Sequence, residues 1–313
     1  MRVAVTGANG FIGALLCARL VAAGHRVAAI HRTAANAVRL DVFAPEVERM
    51  RIDSFDAAPL HACLGTFLPD VLFHLAAAGI RDGRDVSPET VTTNVLGTLD
   101  VCRAAQEHAV RRVVCLGSGF EYAPQGERVQ ESAPLEPFSM YGATKVAAWT
   151  LLKSLADSGT TEFVWARLFA AYGPGENIGR FLPLVTTRLL DRQDVRITSG
   201  TQIRDYLHVD DVVSALTLLM TAPGLAGRAV NVCSGEPISI AEMAELVCRA
   251  AAAPQGLLDL GAVPRRSEEP EHLVGDCSLL GSLGWSRERS IVAGIEATVE
   301  WYRQNRTLWH RLS

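Results

Sequence analysis

Thr6-Gly-Ala-Asn-Gly-Phe-Ile-Gly13 lies between a short apolar run, Val3–Val5, and the helix-patterned stretch Phe11–Ala23. Glycines at positions 7, 10 and 13 in that setting leave few ways to fold the start of this chain. Gly7 permits a tight turn after a strand, and Gly10 lets the backbone approach a pyrophosphate. Gly13 allows the helix to pack closely on the strand. The helix N-terminus carries unpaired N–H groups and partial positive charge, so it favours an anion. Strand, glycine turn and helix in this order form the opening unit of a dinucleotide-binding βαβ fold, with Gly7, Gly10, Phe11, Ile12 and Gly13 as cofactor-contacting positions.

Apolar runs alternate with helix-patterned segments through the first half. Val3–Val5, Arg26–Ile30, Val71–Leu75, Val113–Gly117 and Phe163–Leu168 read as strands, and Phe11–Ala23, Pro88–His108 and Tyr141–Asp157 as helices. The alternation predicts an α/β fold: a Rossmann-type, doubly wound parallel sheet with its ligand site at the carboxyl ends of the strands. Beyond Gly173-Pro-Gly175 the rhythm loosens through Phe181–Asp191, Val195–Thr198, Asp210–Met220, Ala229–Cys233 and Ser239–Ala251. Residues 1–169 read as the dinucleotide-binding domain. Residues 170–313 read as a smaller substrate-binding portion that returns to the sheet near 203–233.

The formal net charge of -4 gives no electrostatic footprint for nucleic acid. Seven cysteines occur without a C-x-x-C pair, so neither a metal site nor a disulfide framework is expected. That usage fits a reducing cytoplasm. Met1-Arg-Val-Ala-Val5 lacks the layout of a signal peptide, and no apolar run reaches membrane-spanning length.

Tyr141-Gly-Ala-Thr-Lys145 puts a phenol and an ammonium one helical turn apart on one face. Only two lysines occur in the chain, Lys145 and Lys153, which adds weight to the spacing. A ketone becoming an alkoxide needs a proton donor within hydrogen-bond reach. Tyrosine ordinarily titrates near pH ~10, and a neighbouring ammonium is expected to lower that value. Ser118, at the end of the Val113–Gly117 strand, can hold the carbonyl oxygen. With the glycine loop, the expected chemistry is carbonyl/alcohol redox on a nicotinamide, with Ser118, Tyr141 and Lys145 as catalytic residues. The second strand ends Ile30-His-Arg-Thr33 and carries no acid for the adenosine ribose. Arg32 can instead form paired hydrogen bonds to a 2′-phosphate, so NADP(H) is expected ahead of NAD(H).

At these residues the chain resembles the epimerase/dehydratase family of the extended short-chain dehydrogenase/reductase superfamily. The resemblance implies that Asp53 and Ser54 contact the adenine. It implies that Leu75, Ala76 and Ala77, in His74-Leu-Ala-Ala77, lie beneath the cofactor. Asn94-Val-Leu-Gly-Thr98 resembles the Asn-bearing helix motif, and Ser118, Tyr141 and Lys145 match the family's triad. Arg167-Leu-Phe-Ala-Ala-Tyr-Gly-Pro174, Arg204-Asp-Tyr-Leu-His-Val-Asp-Asp211, Asn231-Val-Cys-Ser-Gly235 and Arg266-Ser-Glu-Glu-Pro270 resemble further signatures. Asn177, Arg204 and Arg266, with Ser118, are the implied substrate contacts, arginine's planar fork suiting a diphosphate.

Three departures narrow the implied reaction. Gly119 and Phe120 stand where family dehydratases carry acids, with Glu121 displaced by one position. Elimination of water needs a placed acid and base, so dehydration is disfavoured. Ala170 replaces an asparagine that contacts the diphosphate in relatives, and no acid follows Ile30. The expected activity is NADPH-dependent reduction of a nucleotide-activated 4-keto-6-deoxyhexose. The alternatives are an NAD-dependent 4-epimerase and a non-catalytic dinucleotide sensor. The resemblance also implies a homodimer through Pro88–His108 and Tyr141–Asp157, with Val95, Leu99, Val146 and Leu151 on the apolar faces.

Overall fold

The apolar runs do become strands, and the strands are buried on both faces. The structure is a computed structural model that describes residues 1–32, 37–53, 57–79, 87–123, 128–156, 159–265 and 270–312. The chain opens β1 (Arg2–Thr6), α1 (Phe11–Ala22), β2 (Arg26–Arg32), α2 (Val38–Phe43), β3 (Glu48–Ile52), α3 (Ala57–Phe67) and β4 (Val71–His74). Next come α4 (Pro88–Val91), a π-helical turn (Thr92–Leu96), α5 (Gly97–Glu107), β5 (Arg112–Ser118), β6 (Arg128–Val129), α6 (Met140–Ala156) and β7 (Glu162–Leu168). Then follow β8 (Ala170–Tyr172), α7 (Phe181–Leu190), β9 (Val195–Ile197), β10 (Ile203–His208), α8 (Val209–Leu219) and β11 (Arg228–Val232). The chain closes with β12 (Pro237–Ser239), α9 (Ile240–Ala250), β13 (Leu258–Leu260), β14 (His272–Gly275), α10 (Ser278–Ser282) and α11 (Ile291–Gln304).

Seven parallel strands form the main sheet in the order β11-β7-β5-β4-β1-β2-β3. This is the doubly wound α/β arrangement. The direction of strand addition reverses between β1 and β4, and the crevice at such a reversal is where ligands bind. One core layer packs α1 and α8 on the sheet through Val3, Val5, Leu16, Leu20, Val212 and Leu216. On the other face Leu60, Leu64, Val101, Ala105 and Leu152 cover Ala4, Leu72 and Val113.

Past residue 170 the chain alternates between this sheet and a second one, ordered β12-β10-β14-β6, with β8 also on β10. Strand β11 pairs with β7 along its full length, adding the outer strand of the main sheet. A third cluster, including Leu182, Val185, Met243, Val247, Ile295 and Val299, holds α7, α9 and α11 together. No helix among the described residues is long and apolar enough to cross a membrane.

Two local differences from the sequence pattern matter for the site. The pattern over Pro88–His108 predicts one helix, yet five residues, Thr92–Leu96, form a π-turn inside it. Such turns add a residue and re-aim side chains. The elements β3, α2, α3 and α11 lie outside the segments read from the sequence, and β3 has three exposed residues among its five.

Behind β5 lies a buried polar knot. The fully buried Glu121 carboxylate accepts hydrogen bonds from Ser118 N (2.7 Å), Trp165 Nε1 (2.9 Å) and Arg167 Nε (2.7 Å). Arg167 Nη1 donates to Tyr122 Oη (3.0 Å), which donates to Asn231 Oδ1 (2.6 Å). Breaking a buried pair from one side leaves an uncompensated charge, at a cost of about 3–5 kcal/mol. Glu121→Ala should lower the unfolding free energy by about that amount in urea titrations. Loss of less than about 1 kcal/mol, as for an exposed pair, would contradict the assignment.

Candidate active site

Gly7 adopts φ +68°, and a Cβ there would lie 2.7 Å from Ala76 N, so β4's continuation passes directly under the loop. Gly10 donates to Gly7 O (2.9 Å) and caps α1 without a side chain. A Cβ on Gly13 would sit 2.3 Å from Gly7 O. Phe11 and Ile12 pack against the core, and the first turn of α1 contains no acid. This cradle, empty of side-chain volume at a helix N-terminus, fits the pyrophosphate of a dinucleotide.

Around it stand the other predicted cofactor positions. Leu75 N donates to Thr6 O (3.2 Å); Ala76 is buried and Ala77 exposed at the carboxyl end of β4. Arg32 ends β2 with an exposed guanidinium 3.5 Å from Glu89 Oε1. Asp53 follows β3 and is exposed. Ser54 lies outside the described residues. The π-turn directs fully buried Asn94 at the chain beyond β4: its Oδ1 accepts from Ala78 N (2.8 Å) and its Nδ2 donates to Ala78 O (3.0 Å). The same Nδ2 donates to Thr144 Oγ1 (3.0 Å), and Thr144 donates to Tyr141 O (2.8 Å).

Tyr141 and Lys145 lie on α6 with both side chains buried. Lys145 Nζ donates to Leu116 O (2.9 Å), pinning α6 to β5 two residues before Ser118. The ammonium is 5.7 Å from the Tyr141 ring centre. Burial pulls the Lys145 ammonium down to about 8, opposed by the charge of Glu121. For Tyr141 the direction differs from the sequence expectation. Burial first, then the Glu121 charge, push the phenol above its ordinary value, with Arg180 opposing. Desolvation of a phenolate outweighs the neighbouring ammonium, which is turned toward the Leu116 carbonyl. Ser118 is buried at the end of β5, and its Oγ accepts from Phe120 N (3.1 Å), leaving the hydroxyl proton for another acceptor.

Glu121 is locked in the knot behind Ser118, where burial raises its carboxyl despite Arg167. It faces Trp165 and Arg167 rather than serving as a movable acid. Gly119 and Phe120 occupy the preceding positions; a Cβ at Gly119 would reach within 3.0 Å of Phe169, and Phe120 stacks edge-on to Phe138 at 5.0 Å.

On the substrate side the predicted residues lie on separate segments. Asn177 Oδ1 accepts from Gly179 N (3.0 Å) in the loop before α7. Arg204 is buried on β10, with Nη1 donating to Ile203 O (2.8 Å). Ala170 begins β8 opposite Tyr206. Arg266 lies outside the described residues. A residue that sequence reasoning passed over is Arg180, the residue preceding α7, whose charge acts on Tyr141. Its Nε lies 3.6 Å from the buried Glu176, whose carboxyl burial pushes up to about 8. Only its place next to Asn177 could have drawn notice, because its link to Tyr141 is tertiary.

Comparison with known proteins places the chain in a family. The profile of the NAD dependent epimerase/dehydratase family matches residues 3–233. A UDP-glucose 4-epimerase of Mycolicibacterium smegmatis is 31% identical over 97% of this chain and 99% of its own. The UDP-glucose 4-epimerase of Thermus thermophilus, solved in complex with NAD, superposes with TM-score 0.88 at 27% identity, covering 97% of this chain and 100% of that one. The dTDP-glucose 4,6-dehydratase DesIV of Streptomyces venezuelae, solved with NAD bound, gives TM-score 0.91 at 26% identity with both chains fully covered. The chain described here therefore belongs to the NAD dependent epimerase/dehydratase family.

Proposed function

We propose that this protein reduces a nucleotide-activated 4-keto-6-deoxyhexose. The supporting observation is the pairing of the side-chain-free glycine cradle with Tyr141 and Lys145, buried on α6 beside the Ser118 end of β5. Gly7, Gly10 and Gly13 would hold the dinucleotide, with Asn94, Leu75 and Ala76 along its path. Bound there, a nicotinamide supplies the hydride for the sugar ketone. Ser118 donates its free hydroxyl proton to the carbonyl oxygen and orients it. Tyr141 gives its phenolic proton to the same oxygen as negative charge develops. A phenol held on the protonated side by burial suits that donor role. Lys145, drawn down to about 8, carries its charge through neutral pH and stabilises the resulting phenolate. Arg180, and Arg204 with Asn177, would meet the substrate's diphosphate.

Arg32, at the end of β2 with an exposed guanidinium 3.5 Å from Glu89 Oε1, supports NADPH, because its planar fork can pair with a 2′-phosphate. Elimination of water is disfavoured, because Glu121 is committed to Arg167 and Trp165. Of the residues expected on the paired faces, Leu151 is exposed and Val95, Leu99 and Val146 are half-buried; with exposed Val91 and Leu96 on the same segments they support a homodimer. The similarity to UDP-glucose 4-epimerases favours a second reading, in which the same residues serve oxidation of C4 and then its reduction from the opposite face.

Purified protein should consume NADPH with nucleotide-linked 4-keto-6-deoxyhexoses, at stoichiometry with product. Turnover of a 4-hydroxy sugar without added cofactor would replace reduction by epimerisation. Tyr141→Phe should lower kcat by about 10²–10⁴-fold while dinucleotide binding, followed by fluorescence, is retained. Near-normal turnover of that variant would remove Tyr141 as the acid. Arg32→Ala should raise KM for NADPH by about tenfold or more, the scale of one lost charge-assisted pair, and leave KM for NADH almost unchanged. Equal effects on both cofactors would rule out recognition of a 2′-phosphate.

A further inference from the structure

Beneath the cofactor cradle, a fully buried histidine joins two elements that the proposed reaction needs in register. We infer that His74 is a positioning residue, a neutral imidazole protonated at Nε2 that fixes the glycine loop relative to the Asn94 turn and the Tyr141 helix. The inference rests on the proposed hydride chemistry for its consequence, though the protonation state it assigns does not.

The proton count follows from the geometry. Thr6 and His74 are opposite each other in the parallel β1–β4 pair. Thr6 Oγ1 lies 2.8 Å from His74 Nδ1, and His74 Nε2 lies 3.0 Å from Thr98 Oγ1. Thr98 has one hydroxyl proton and donates it to Asn94 O (2.7 Å). Toward His74 it can only accept, so Nε2 carries a hydrogen. Burial, reinforced by the Lys145 charge, keeps the ring neutral by drawing its pKa down to about 3. Nδ1 is then the acceptor, and Thr6 donates to it. Each bond runs in one direction, from Thr6 through His74 and Thr98 to the Asn94 carbonyl.

The Asn94 side chain continues the connection through Thr144 to Tyr141 O. Thr6, His74, Asn94, Thr98 and Thr144 are all buried. The chain thus runs from the residue before Gly7 to the backbone of the proposed acid without water exposure. A second proton on His74 would force Thr6 to reverse its hydroxyl and would set a cation near Lys145. A displacement of about 1 Å between reacting groups can cost about 10²-fold in rate.

Two measurements test this. In ¹⁵N-histidine spectra at pH 5.5, where exposed histidines are largely cationic, His74 should give one protonated and one bare ring nitrogen, with the proton on Nε2. A cation, or the proton on Nδ1, would overturn the assignment whatever the protein catalyses. His74→Phe should lower kcat by about 10–10²-fold, while the dinucleotide Kd changes by less than about threefold. His74→Gln, which can still donate to Thr98, should recover part of that loss. If a folded His74→Phe protein keeps wild-type kcat, or His74→Gln recovers none of the loss, His74 has no positioning role. Should the phenylalanine variant fail to fold, His74→Gln and the wild-type spectrum decide.

Discussion

The close approach of three backbone segments at the start of the chain governs the rest of this structure. Gly7 meets the Leu75–Ala76 peptide, and Gly13 meets Gly7, at separations that exclude a Cβ. This contact brings β1, α1 and the end of β4 to one point at the reversal of strand order. It also leaves a helix N-terminus unobstructed, with no acid in its first turn. The apolar strands supply most of the burial energy, but close packing of glycine on backbone determines where the crevice lies.

Around that point the protein buries polar and charged groups with their partners. Glu121, Arg167, Tyr122 and Asn231 form a closed set behind β5, while Thr6, His74, Thr98, Asn94 and Thr144 form an ordered chain beneath the cradle. Unpaired, such groups would cost about 1–3 kcal/mol each when neutral and more when charged. Satisfied, they hold side chains to single orientations. Both sets end at proposed catalytic residues: the first at Ser118 N and the second at Tyr141 O. Burial also raises the Tyr141 phenol and lowers the Lys145 ammonium, each toward its neutral form.

The strand–glycine–helix opening and the alternation up to β7 were legible in the residues because both depend on short-range geometry. A period of two or 3.6 and a glycine at a forced turn express themselves locally. The Tyr141/Lys145 pair was legible for the same reason. The amphipathic pattern of α9 is likewise local, whereas β3 carries no such pattern, since Glu48, Arg49 and Arg51 expose their side chains at the sheet's edge. The π-turn was hidden because a helical hydrophobic period does not mark one inserted residue; within it Asn94 bonds to Ala78.

The sequence by itself determined a doubly wound sheet, its glycine cradle and a phenol–ammonium pair, each encoded within a few neighbouring residues. Tertiary structure alone decided which groups are buried and therefore what state they hold. Glu121 reads as a displaced acid until Arg167, 46 residues away, closes on it. The proton on His74 follows from Thr6, 68 residues earlier, and from Thr98. Arg180 acts on Tyr141, 39 residues earlier, only because the fold brings its charge within electrostatic range. Desolvation and long-range pairing set these properties, and neither leaves a local pattern in the chain.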